Sequence, residues 1–110
     1  MIAPLSLMML PSIETRMDEI SALCRSHKVR SIALFGSAAK GELTAGSDVD
    51  ILVEFNDDLE LLAYADNYFS LLEGLEKILG STVDLVSIRS IRNPILKEEI
   101  ERTKIALYAA

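Results

Sequence analysis

A single cysteine, Cys24, leaves the chain without an internal disulfide. Positive charge is also scarce: 11 Lys and Arg stand against 17 Asp and Glu, a net charge of −6 with a pI near 4.7. Proteins that grip nucleic acid through phosphate contacts carry a basic surplus, so direct stable binding of nucleic acid is not expected. No apolar run reaches the roughly 20 residues of a membrane span. The apolar opening, MIAPLSLMMLPSI, is short and lacks both a basic leader and a small-residue cleavage site. Residues 1–11 read as an arm, either flexible or docked on a partner, and the expected compartment is the cytoplasm. Repeats, low-complexity tracts and linkers are missing too. With 110 residues there is room for one domain, residues 12–110, and one modest core. A large acceptor or regulatory surface must therefore come from a partner.

What is present reads as an ordinary globular chain, half apolar and a quarter charged. Ser12 is a good N-cap for a first helix in which Ile13, Met17, Ile20 and Cys24 recur at helical spacing. Cys24 falls on its apolar side and His27 closes it. A buried strand follows over Ser31 to Phe35, and Gly36 stops it. AAKGELTAG suggests one helical turn and then a loop. SDVDILVEF alternates as a strand should, with Val49, Ile51, Val53 and Phe55 on one face. A long helix is expected from Leu59 to Leu79, its inner stripe Leu62, Ala65, Phe69, Leu72, Leu75 and Leu79, with Gly80 ending it. Tyr64 and Tyr68 read as amphipathic packing on that helix. STVDLVSI is a third strand. Asn93-Pro94 opens a last helix with Leu96, Ile100, Thr103 and Leu107 inward. The predicted order is α-β-(short α)-β-α-β-α, an α/β (α+β) fold with a small mixed three-stranded sheet flanked by helices.

Two aspartates head the second strand. Asp48 and Asp50 are two residues apart, so they share a strand face at roughly 6–7 Å. Two unpaired carboxylates that close repel and raise one pKa, and a divalent cation resolves the conflict. Mg²⁺ suits such oxygens and commonly adds substrate phosphates to one or two carboxylates. Taken alone, Asp-x-Asp better fits a solvent-facing strand start with two exposed aspartates. Asp84, in the middle of TVDLV, changes the balance. If the third strand lies beside the second, Asp84 joins the pair, either completing a metal site or taking a proton from an incoming hydroxyl. Gly36-Ser37 adds close backbone approach and a hydroxyl donor for a phosphate, and Lys40 adds a point charge. By itself Gly-Ser is a plain turn.

Gly36-Ser37, ten intervening residues, Asp48-x-Asp50 and the later Asp84 together resemble the DNA polymerase β-like nucleotidyltransferase superfamily. The short length and the ending VDLVSIRSIRNPILKEEIERTKIALY are similar to the minimal nucleotidyltransferase (MNT) family, and the resemblance runs from about Ile13 to Tyr108. It implies a polymerase β-like fold in which Gly36 and Ser37 hold the triphosphate of ATP, Asp48 and Asp50 bind Mg²⁺ and Asp84 is the third acidic residue. Many relatives read Gly-Ser-x-Ala-Arg-Gly; Lys40 here keeps the charge but not the bidentate phosphate contact. The implied activity is transfer of AMP from ATP to a hydroxyl, on a tyrosine of a partner HEPN-domain ribonuclease toxin, with this chain as antitoxin. The alternative is a non-catalytic MNT-like protein that neutralises or assists its partner by contact alone. Docking surfaces expected for the partner are the exposed parts of the long helix and the N-terminal arm. A homo- or a hetero-oligomer is compatible with either. Arg89 and Arg92, after the third strand, read as a solvated turn or as contacts to nucleotide or partner.

Overall fold

The computed structural model describes residues 13, 15–36, 39 and 48–110. Ser12, the arm over residues 1–11, and the turn carrying Ser37 and Lys40 lie outside the described residues. In chain order the elements are helix α1 (Met17–Ser26), strand β1 (Val29–Leu34), strand β2 (Val49–Phe55), helix α2 (Leu61–Leu79), strand β3 (Val83–Ser87), a 3₁₀ turn (Ile88–Ser90), helix α3 (Pro94–Thr103) and strand β4 (Ile105–Ala109).

The sheet runs β3-β2-β1-β4. Strands β1 and β2 are antiparallel, as are β1 and β4, while β2 and β3 are parallel and joined through α2. The predicted mixed α/β architecture is present, with one correction: the sheet has four strands, not three. Leu107, expected on the inner side of the last helix, lies in β4 and is buried there. The segment IALYA contains good helix formers, but the open edge of β1 offers it a ladder, and that pairing outweighs local propensity.

Val49, Ile51, Val53 and Phe55 are all buried, as the alternation requires. They meet Ile20 and Cys24 of α1 and Leu71 and Leu75 of α2 in one core. Burial pushes the Cys24 thiol up to about 12 against a small opposing pull from Arg25, so Cys24 acts as an apolar core residue, not a nucleophile. Gly80 ends α2 in the left-handed conformation, and the Asn93 side chain accepts from the Ile95 and Leu96 amides to cap α3. Gly74 lets α1 and α2 approach closely: a Cβ there would come within 2.8 Å of a Leu23 methyl.

The inner face of α2 differs from the expected stripe. Leu71 and Leu75 are fully buried, and Tyr64, Tyr68, Leu72 and Ile78 pack against the core. Leu62 and Phe69, expected inside, are 81% and 65% exposed. Two apolar stripes interleave on this helix, and the edge-to-face contact of Tyr64 with Phe55, centroids 5.0 Å apart, marks the one that packs inward. His27 also fixes the helix: its Nδ1–H donates to the Leu23 carbonyl at 2.8 Å, and Nε2 pairs with Ser70 Oγ of α2 at 2.7 Å.

The outer edge of β3 is closed by α2. Glu76 accepts from the Val83 amide at 3.0 Å, and the Tyr68 hydroxyl donates to the Leu85 carbonyl. An edge strand so engaged is a poor template for strand addition.

Candidate active site

The carboxylates collect at the starts of the two parallel strands. Asp48 directly precedes β2 and is exposed, Asp50 is its second residue and is half-buried, and Asp84 is the second residue of β3 and is exposed. In the parallel register Asp50 stands opposite Asp84. Both project from the sheet face opposite the core, because their neighbours Val49, Ile51, Val83 and Leu85 face inward. The expected adjacency of the second and third strands is therefore realised.

The two carboxyls hydrogen-bond to each other, and Asp50 is held above the ordinary carboxylate range. Burial is the largest cause, followed by the Asp84 charge, the hydrogen bond that protonated Asp50 donates to Asp84, and the Asp48 charge. Gly36 forms the wall on the other side. Its φ is +61°, and a Cβ built there would lie 2.4 Å from Asp50 Oδ2. Glycine is thus required twice over, by backbone conformation and by the approach of the carboxylate. The Phe35 amide donates to the Asp50 carbonyl at 3.0 Å, which fixes Gly36 beside it.

This donor set fits a hard divalent cation. The charges of Asp84 and Asp48 act against the ionised form of Asp50, and a divalent cation would relieve that repulsion. Among the described residues no three His, Cys, Asp or Glu side chains gather closely enough to hold a metal ion by themselves. The described part of the site is thus a carboxylate pair with a third acidic group close by, the type that shares a cation with substrate phosphates. Ser37 and Lys40, expected to contact those phosphates, fall outside the described residues.

Tyr68, expected as amphipathic packing, packs against the core and reaches the outer edge of β3 near Asp84. Its hydroxyl is raised above the ordinary tyrosine value by burial first, then by the charge of Asp84 and by Tyr64. Its spacing four residues after Tyr64 was visible in the sequence, but its position beside β3 depends on how the crossover helix packs. Arg89 lies in the exposed 3₁₀ turn, 6.0 Å from the Tyr64 ring centroid and 3.4 Å from the exposed Asp57, in keeping with the solvated-turn reading. Among the described residues no helix is long and apolar enough to cross a membrane.

The fold and the paired carboxylates make a candidate site, and comparison with known proteins gives the family. A nucleotidyltransferase domain model matches residues 18–107, and the chain belongs to that family. The protein adenylyltransferase MntA of Thermococcus cleftensis is 39% identical over 89 residues, 74% of this chain and 86% of the relative. A crystal structure of a toxin–antitoxin with AMP-PNP superposes with a TM-score of 0.64 at 31% identity, covering 86% of this chain and 73% of that one. A complex of tri-AMPylated Shewanella oneidensis HEPN toxin with its MNT antitoxin gives a TM-score of 0.59 at 28% identity, covering 89% and 73%. The chain is accordingly a nucleotidyltransferase, of the minimal kind that carries no second domain over the matched length.

Proposed function

We propose that this protein transfers AMP from ATP to a tyrosine hydroxyl of a HEPN-domain toxin in the cytoplasm, with Mg²⁺, and so acts as its antitoxin. The observation that carries the reading is the in-register Asp50–Asp84 pair, walled by Gly36, in a chain of the nucleotidyltransferase family. The similar complexes that contain AMP-PNP and an AMPylated HEPN toxin support the nucleotide and the acceptor.

In the reaction the tyrosine oxygen forms a bond to the α-phosphorus of ATP, and the bond from that phosphorus to the bridging oxygen breaks. Pyrophosphate leaves, and the hydroxyl proton passes to a carboxylate. The exposure of Asp84 at the mouth of the site supports its taking that proton. Asp50, with Asp48, would hold Mg²⁺, which would supply charge stabilisation at the phosphoryl oxygens when bound. Gly36 leaves the backbone bare where the triphosphate approaches, and Ser37 and Lys40 add a hydroxyl and a positive charge.

The test is intact-mass measurement of the HEPN toxin after incubation with this protein, ATP and Mg²⁺. One AMP added for each modified tyrosine is expected, and none with the Asp48→Ala/Asp50→Ala double variant. Toxin neutralised by that variant with no mass change would reject catalysis and leave contact-only neutralisation.

A further inference from the structure

Asp50 and Asp84 face each other across one rung of a parallel ladder, but their strands are held unequally. Strand β2 is interior, with β1 on one side and β3 on the other, so its backbone is fixed along both edges. Strand β3 is an edge of five residues, and Asp84 is its second. A short edge strand frays from its ends, and no ladder holds its outer side. The carboxylate that meets Asp50 therefore sits on the less constrained strand of the pair.

Helix α2 supplies what the edge lacks. Along a strand, successive residues turn their backbone groups alternately toward and away from a given neighbour. The Val49 amide donates to the Thr82 carbonyl, so Thr82 and Asp84 turn theirs toward β2, and Val83 and Leu85 turn theirs outward. Those two outward residues are the ones that α2 engages. Glu76 accepts from the Val83 amide at 3.0 Å, and the Tyr68 hydroxyl donates to the Leu85 carbonyl. One bond falls immediately before Asp84 and the other immediately after it. Further along, the Tyr64 hydroxyl donates to Ser87 Oγ at the far end of the strand. Tyr64, Tyr68 and Glu76 recur at steps of four or eight, so one side of α2 runs along β3.

We propose that Tyr68 and Glu76 are positioning residues: together they clamp the backbone on either side of Asp84 and hold its carboxyl at the separation from Asp50 that transfer needs. The proposal rests on the reading of the chain as a protein adenylyltransferase and adds to that site two residues that act through the β3 backbone. Three observations carry it. Both bonds go to main-chain groups, so they fix where the strand lies and not only how one side chain turns. Among the three site carboxylates they bracket Asp84 alone, the one on the edge strand. Both residues belong to the crossover helix between β2 and β3, so the element that brings the two strands together also holds the outer one in place.

The experiment measures steady-state AMP transfer to the purified HEPN-domain toxin, with ATP and Mg²⁺, for wild type, Tyr68→Phe, Glu76→Ala, Glu76→Gln and Tyr64→Phe. Tyr68→Phe and Glu76→Ala each remove one bond of the clamp. Each should lower kcat by about 10- to 100-fold, the scale of a reacting group displaced by up to about 1 Å, with KM for toxin and for ATP unchanged. Glu76→Gln keeps an acceptor oxygen for the Val83 amide and should retain at least about half of wild-type kcat. Tyr64→Phe removes a hydroxyl bond from the same helix to the same strand, but at Ser87, away from Asp84. Its kcat should stay within about twofold of wild type, while its melting temperature falls as far as that of Tyr68→Phe, by roughly 8 °C or less for one lost hydrogen bond. Amide exchange reads the clamp directly: Val83 should lose protection in Glu76→Ala and keep it in Glu76→Gln. Wild-type kcat in both Tyr68→Phe and Glu76→Ala overturns the proposal. So does an equal loss in Tyr64→Phe, which would mean general loosening of the strand. A loss in Glu76→Gln as large as in Glu76→Ala, with Val83 still protected, would assign Glu76 by its charge and likewise overturn it. Wild type that adds no AMP would reject the transfer reading itself; Val83 exchange that still follows the Glu76 variants would then leave the clamp as a brace of the sheet and overturn its part in transfer.

Discussion

In the folded chain the ionised form of Asp50 is the disfavoured one, because burial, Asp84 and Asp48 all act against it. Between its unfolded pKa and its raised folded pKa, the folded state binds more protons than the unfolded state. Stability therefore falls as pH rises through that window, and the loss is complete above the folded pKa. At neutral pH in chelator, Asp50→Asn should melt above wild type by a few degrees; about 1 kcal/mol shifts Tm by roughly 4–8 °C in a domain near this size. Mg²⁺ should raise the Tm of wild type more than that of the variant, whose AMP transfer should fall by about 100-fold or more. A variant that melts lower than wild type in chelator would make Asp50 a structural residue. Gly36→Ala attacks the same carboxylate from the other side. It strains a backbone at φ +61° and pushes on Asp50 Oδ2. Urea denaturation should record a loss of about 1–2 kcal/mol, with transfer reduced further than stability explains. Full activity in Gly36→Ala would mean that the carboxylate has room to move.

Elements differ in how far local sequence determines them. Strands β1 to β3 and the helices were legible because their apolar periods are clear and their ends carry specific signals: Gly80 after α2, Asn93-Pro94 before α3. The shared face of Asp48 and Asp50 was legible for the same reason, since spacing along one strand fixes it. The opposition of Asp50 and Asp84 needed the parallel crossover through α2, which no local pattern specifies. Likewise β4 exists because β1 has a free edge, and a short segment rich in Ala and Leu cannot announce that partner. On α2 the sequence holds two helical stripes, and only the contacts of Tyr64 with Phe55 and of Gly74 with Leu23 select between them. Leu107 tests the strand assignment. At 8% exposure in β4 it belongs to the core, so Leu107→Ala should cost about 2–5 kcal/mol by chemical denaturation. A cost well under 1 kcal/mol would mean that β4 contributes little to holding the sheet.

At the scale of the whole molecule, the candidate site belongs to a chain of net charge −6 whose residues 18–107 match the nucleotidyltransferase domain. On the proposed reading a partner protein orients the attacking hydroxyl, and such orientation is worth several kcal/mol of barrier, about 7–11 in the best-aligned cases. Free tyrosine gains none of that orientation. With ATP and Mg²⁺ alone, or with free tyrosine added, pyrophosphate release should stay near the hydrolytic background. Adding the HEPN-domain toxin should produce a burst that ends when its acceptor tyrosines are filled, with pyrophosphate released in a one-to-one ratio to AMP incorporated. Replacement of the acceptor tyrosine by phenylalanine in the toxin should abolish the burst without dissolving the complex. Sustained turnover on free nucleotide or free tyrosine at the rate reached with toxin would instead make this a small-molecule nucleotidyltransferase, and the partner would then be a regulator and not the substrate.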